Sequence, residues 1–102
     1  MKQIGMQGFA GKRVWVIGAT SGIGEACAIA LFAAGASVAL SGRRLQNLQT
    51  VAQHAKPSQS LILPLDVTEP KAIQEAYQKL MQEWGQLDLL LFVSGIYIPL
   101  RA

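Results

Sequence analysis

The sequence predicts an α/β fold: a doubly wound parallel sheet of four strands in the order 3-2-1-4, with three helices on its two faces. Three observations carry this. Short apolar runs alternate with segments of helical periodicity, the connections between successive runs are too long for hairpins, and a glycine-rich turn directly follows the first run. Right-handed crossovers between parallel strands then force helices onto both faces.

Val14-Trp15-Val16-Ile17 is an uninterrupted apolar run that ends at Gly18, the pattern of a strand buried on both faces. Residues 22–34 hold alanines with Ile23, Ile29, Leu31 and Phe32 and no proline, so they predict a helix, ended by Gly35 as its C-terminal cap. Residues 37–41 form the second strand. Leu45, Leu48, Val51, Ala52 and Ala55 recur at three- and four-residue spacing, which describes an amphipathic helix stopped by Pro57. Residues 61–65 are the third strand. Thr68 is placed to cap a third helix that tolerates Pro70 in its first turn and buries Ile73, Ala76, Tyr77, Leu80, Met81 and Trp84. Gly85 ends that helix, and residues 87–93 are the fourth strand. No repeat, linker or low-complexity tract divides the 102 residues, so a single domain over residues 1–102 is expected.

Half of the residues are apolar (51%) and 15% are charged, a balance that suits a sheet covered on both sides rather than a disordered chain. The formal charge of +3 is scattered, without a basic run or interleaved aromatics, which argues against a nucleic-acid partner. The longest apolar stretch, residues 26–40, is broken by Gly35 and Ser37 and falls short of the roughly 18–20 residues of a membrane span, and no signal peptide is read at the start. Cys27 is the sole cysteine; it reads as a small core residue in a reducing, cytoplasmic setting.

The turn after the first strand reads Gly18-Ala19-Thr20-Ser21-Gly22-Ile23-Gly24. It places backbone N–H groups and the positive end of a helix where an anion can sit. Gly18 permits a sharp exit from the strand, Gly22 can take positive φ, and Gly24 lets helix, sheet and ligand approach closely. Thr20 and Ser21 add hydroxyl donors for phosphate oxygens. The spacing is neither G-x-G-x-x-G nor a triphosphate loop with its lysine; it is G-x-x-x-G-x-G.

The second strand ends in Ser41-Gly42-Arg43-Arg44. In dinucleotide folds a carboxylate at this point receives the adenosine ribose, whereas a basic group accommodates a 2′-phosphate. Arg43 and Arg44 therefore favour NADP(H), with NAD(H) possible.

The glycine spacing resembles the T-G-x-x-x-G-I-G pattern of the short-chain dehydrogenase/reductase family in Gly18, Gly22, Ile23 and Gly24, with Ile17 where threonine is usual. The resemblance implies a Rossmann-type fold of which these are the first four of seven strands, so the domain is a dinucleotide-binding one and is expected to be incomplete. It implies further that Asp66 receives the adenine amino group and that Val67 adds backbone contacts. Phe92-Val93-Ser94-Gly95 stands where the family has N-N-A-G; Gly95 keeps the close approach to the cofactor ribose, while Phe92 and Val93 bring no side-chain amides.

Catalysis in the family uses a tyrosine with a lysine four residues on, helped by a serine and an asparagine, all expected beyond residue 102. Tyr77 lies in a helix, and Tyr97 with Arg101 follows the fourth strand beside Pro99, so neither tyrosine is assigned to catalysis. His54 reads as a solvated residue of the second helix, and no metal-ligand cluster is seen.

By the resemblance, a complete protein transfers hydride between NADP(H) and a small carbonyl or alcohol, and this chain carries the cofactor-binding portion. Two readings stay open: a truncated reductase, or a non-enzymatic nucleotide-binding or assembly module. In both, the fourth strand is an apolar edge where copies of the chain can associate.

Overall fold

The computed structural model describes residues 8–19 and 22–93. Seven elements follow one another: β1 (Arg13–Ile17), α1 (Gly22–Ala33), β2 (Ser37–Ser41), α2 (Leu45–Ala52), β3 (Ser60–Ile62), α3 (Pro70–Trp84) and β4 (Leu89–Phe92). The four strands make one parallel sheet in the order β3-β2-β1-β4, as the alternating pattern predicts.

Alternation along β1 sorts the core into two layers. Val14 and Val16 point to one face, where they meet Val38 and Leu40 of β2, Ala28, Leu31 and Phe32 of α1, and Leu48 and Val51 of α2. Trp15 and Ile17 point to the other, where Ala39, Leu63 and Leu65 meet Ala76 and Leu80 of α3. All four of these β1 side chains are buried, so the strand is covered on both sides.

The helix ends follow their capping residues. Gly35 takes φ +92°, Ala36 N–H donates to Leu31 and Gly35 N–H to Phe32, the paired bonds of a Schellman motif. Gly85 ends α3 at φ 77° with its N–H on the Met81 carbonyl. Several boundaries differ from the sequence reading, among them the fourth strand, which spans Leu89–Phe92 rather than residues 87–93. α2 stops at Ala52, before Pro57, and leaves Ala55 packed against the core and His54 exposed in a turn rather than on the helix. The regular β3 ladder spans three residues, although Leu63 and Leu65 still donate to Leu40 and Gly42; Pro64 falls between them, where its missing N–H would face away from β2. The N-cap of α3 is Glu69, not Thr68, whose hydroxyl is drawn to Asp66 instead.

Cys27 is half-buried and its neighbour Ala28 takes the core position, so the cysteine is not core filler. Tyr77 is 44% exposed rather than part of the buried stripe, its ring lying 6.4 Å from that of Trp15 at 23°. β4 is less covered than expected. Among the described residues it pairs with β1 only, and Leu90 and Phe92, in register with Trp15 and Ile17, stand 46% and 52% exposed on the α3 side.

Candidate functional site

Every sequence-predicted site residue among the described ones lies at or just beyond the carboxyl end of a strand, where ligands of open α/β sheets bind. Gly18 leaves β1 at φ +95°. Its N–H and that of Ala19 both donate to the Ser41 carbonyl, at 2.8 and 3.0 Å, so the first two amides of the loop are turned towards the end of β2 and not outward. This corrects the expectation that the whole loop offers donors to an anion: the amides of Gly18 and Ala19 are engaged within the fold. A second reason for glycine emerges here. A Cβ on Gly18 would overlap the Val93 carbonyl oxygen and lie 2.9 Å from its carbon, because Val93 N–H donates to Ile17 at 2.7 Å and draws the end of β4 over the turn.

Gly22 opens α1 and is not left-handed; the positive φ expected there is found at Gly18. Gly24 is buried, in keeping with close helix approach, while Ile23 is 68% exposed and presents an apolar side chain at the helix start. Thr20, Ser21 and Gly95 lie outside the described residues, as do Tyr97 and Arg101.

Beyond β2, Gly42 is buried and Arg43 is exposed over 74% of its side chain. Arg44 is the N-cap of α2, with extended backbone and no side-chain cap bond, and no acidic residue stands in the first turn of that helix. Two cations therefore gather at a helix start with no acid in its first turn, an arrangement that welcomes an anion.

Asp66 sits beyond β3 and reaches Arg43: its Oδ2 lies 4.0 Å from the Arg43 Nε. Its Oδ1 accepts the Thr68 N–H at 2.9 Å and the Thr68 hydroxyl at 2.7 Å, an Asx turn that holds the carboxylate. The Thr68 amide and then its hydroxyl keep the Asp66 carboxyl below its ordinary pKa; desolvation opposes them, and the Arg43 charge adds the smallest lowering effect. Asp66 thus makes the turn and stays ionised beside Arg43. Val67 next to it is 40% exposed.

The structure so brings together the exit of β1, the end of β2 and the end of β3, through Ser41 on one side and the Arg43–Asp66 pair on the other. Ser41 went unnoticed in the sequence. It is fully buried, and its Oγ accepts the indole N–H of Trp15 at 2.7 Å. A serine closing an apolar strand is the available signal, since a buried hydroxyl needs a partner, but only the register identifies that partner.

A sequence model of the short chain dehydrogenase family matches residues 12–101. The chain belongs to this family. Among short-chain dehydrogenase relatives, the mouse dehydrogenase/reductase SDR family member 7 is 40% identical over 88 residues, which are 80% of this chain and 26% of that protein. An uncharacterized oxidoreductase of Staphylococcus aureus strain USA300 is 39% identical over 80 residues, 78% of this chain and 35% of its own length. The chain therefore spans between about a quarter and a third of these relatives. Solved short-chain dehydrogenases share the fold. One from Mycobacterium marinum superposes with a TM-score of 0.75 at 32% identity, covering 88% of this chain and 37% of that one. A 3-ketoacyl-(acyl-carrier-protein) reductase from Brucella melitensis, solved with NADH, gives 0.74 at 25% identity over 80% of this chain and 33% of that one.

Proposed function

We propose that this chain is the cofactor-binding portion of a short-chain dehydrogenase that prefers NADP(H) to NAD(H) and acts on a small carbonyl or alcohol. The Arg43–Asp66 pair carries the reading. An exposed guanidinium stands at the end of β2, where an enzyme that takes the unphosphorylated ribose places a carboxylate, and the neighbouring carboxylate at the end of β3 steadies it from the side.

The residues present fit the cofactor. The turn at Gly18 has no room for a side chain, the positive end of the α1 dipole favours a phosphate, exposed Ile23 gives an apolar wall, and Arg43 with Arg44 gives a fork of donors for a 2′-phosphate. NADP(H) supplies the hydride when bound. What the described residues do is hold and orient it: Arg43 and Arg44 at the 2′-phosphate, Asp66 at the adenine edge, the start of α1 at the pyrophosphate. A tyrosine–lysine pair that moves the proton belongs to the rest of a complete enzyme. The lone Cys27 goes with a reducing, cytoplasmic setting, and the exposed Leu90 and Phe92 make the β4 edge the place for self-association.

Titrating the chain with NADPH and NADH separately, by calorimetry or nucleotide fluorescence, tests the preference. NADPH should bind at least tenfold more tightly, and Arg43→Ala should remove roughly 10–100-fold of NADPH affinity, the worth of hydrogen bonds to a charged group, while leaving NADH nearly unchanged. Equal affinity for the two nucleotides, indifferent to Arg43, would overturn it.

A further inference from the structure

Ser41 is the one polar side chain fully buried among the described residues, and both of its oxygens are engaged. The carbonyl carries the amides of Gly18 and Ala19 at 2.8 and 3.0 Å. The hydroxyl accepts the Trp15 indole N–H at 2.7 Å across the sheet, from the diagonal position in the β1–β2 register where Ser41 itself faces Ile17. Trp15 is only 1% exposed, packs in the layer under α3 and lies against the Tyr77 ring, so its indole cannot swing away without breaking that layer. Two residues after Ser41 comes Arg43, and the peptide between them accepts Leu65 N–H through the Gly42 carbonyl. Ser41 is thus the joint at which the turn of the glycine loop, the basic end of β2 and the start of the β3 exit are all fastened.

We propose that Trp15 and Ser41 are positioning residues: the indole–hydroxyl bond sets the Ser41 peptide, and through it the place of the glycine loop relative to Arg43. Both side chains are buried, Ser41 at 0% and Trp15 at 1% exposure, and act from beneath the strand ends. The inference rests on the cofactor reading for its consequence in binding, while its geometric core concerns the loop alone. If the indole N–H or the hydroxyl is removed, the other is left unpaired in a dry layer, and it relaxes by shifting the Ser41 peptide and loosening the two amides that hang on it. Removing both leaves nothing to satisfy.

Amide hydrogen exchange by NMR on Ser41→Ala, Trp15→Phe and the double variant of the full chain tests this, with Gly11 as the internal reference because its N–H donates to Gly35 away from the loop. Each single variant should speed exchange at Gly18 and Ala19 by roughly five- to tenfold more than at Gly11, and the double variant should be no worse than the poorer single one. NADPH affinity should fall several-fold in the single variants and recover in part in the double. Ser41→Ala deletes one oxygen and so keeps the test open where Trp15→Phe leaves too large a hole. Exchange that rises equally at Gly11, or effects that simply add, would overturn the positioning role. A parent chain that binds no NADPH, with variants that show the selective, non-additive exchange, would sink the cofactor reading and leave the positioning intact.

Discussion

Gly18→Ala should cost this chain about 2–4 kcal/mol of stability, from two causes that can be measured separately. The first is conformational: an L-residue at φ +95° gives up about 1–2 kcal/mol. The second is spatial, because the new methyl group meets the Val93 carbonyl, which is backbone and cannot rotate aside. The end of β4 must lift, and the Val93-to-Ile17 hydrogen bond goes with it, a further loss of about 1–2 kcal/mol. Gly85→Ala isolates the first cause, since Gly85 has φ +77° with nothing within 4 Å of a Cβ. Gly22→Ala, helical and equally open, controls for both and should stay within about 0.5 kcal/mol of the parent chain. Urea unfolding followed by circular dichroism gives the three differences, and a thermal scan should show Gly18→Ala down by roughly 10–30 °C. If Gly18→Ala destabilises no more than Gly85→Ala, then the Val93 carbonyl does not close that space and the reasoning about the turn is wrong.

Asp66 should make stability depend on acid pH. Its pKa lies below the ordinary 3.8 in the folded chain, so the stabilisation is complete above that value and disappears as pH falls through the lower, folded one. Asp66→Asn should therefore be less stable than the parent at neutral pH, with the gap in urea midpoint closing below about pH 4; a gap unchanged at pH 2 would speak against the Thr68 and Arg43 assignment. Leu80→Ala, at a fully buried α3 position, should lose about 2–5 kcal/mol by the same urea measurement, and a loss under 1 would mean that α3 does not seal its face of the sheet. Leu90→Lys with Phe92→Lys should lower concentration-dependent association in sedimentation velocity, because both side chains project from the open edge strand; unchanged association would move the contact elsewhere.

The sequence by itself determined the order of elements, the parallel topology and the strand-end position of the candidate site residues. These follow from chain-local physics: β-branched apolar runs cannot sit still as surface helices, three- and four-residue spacing cannot serve a strand, and crossovers of that length permit one handedness. It also singled out the glycine spacing and the basic end of β2, which matter as residue types before any packing is known.

Tertiary structure alone decided how those parts join. Nothing near Gly18 in the sequence announces Val93, nor does Trp15 announce Ser41; each pair is made by register between strands distant along the chain. Thr68 reads as a helix cap until the carboxylate of Asp66 competes for its hydroxyl, and the loop amides read as anion donors until the Ser41 carbonyl takes two of them. The Thr68 choice is a local one, an Asx turn made within three residues, whereas the Gly18 and Ala19 amides were claimed by a carbonyl that only the β1–β2 register brings near, a choice that no local pattern encodes.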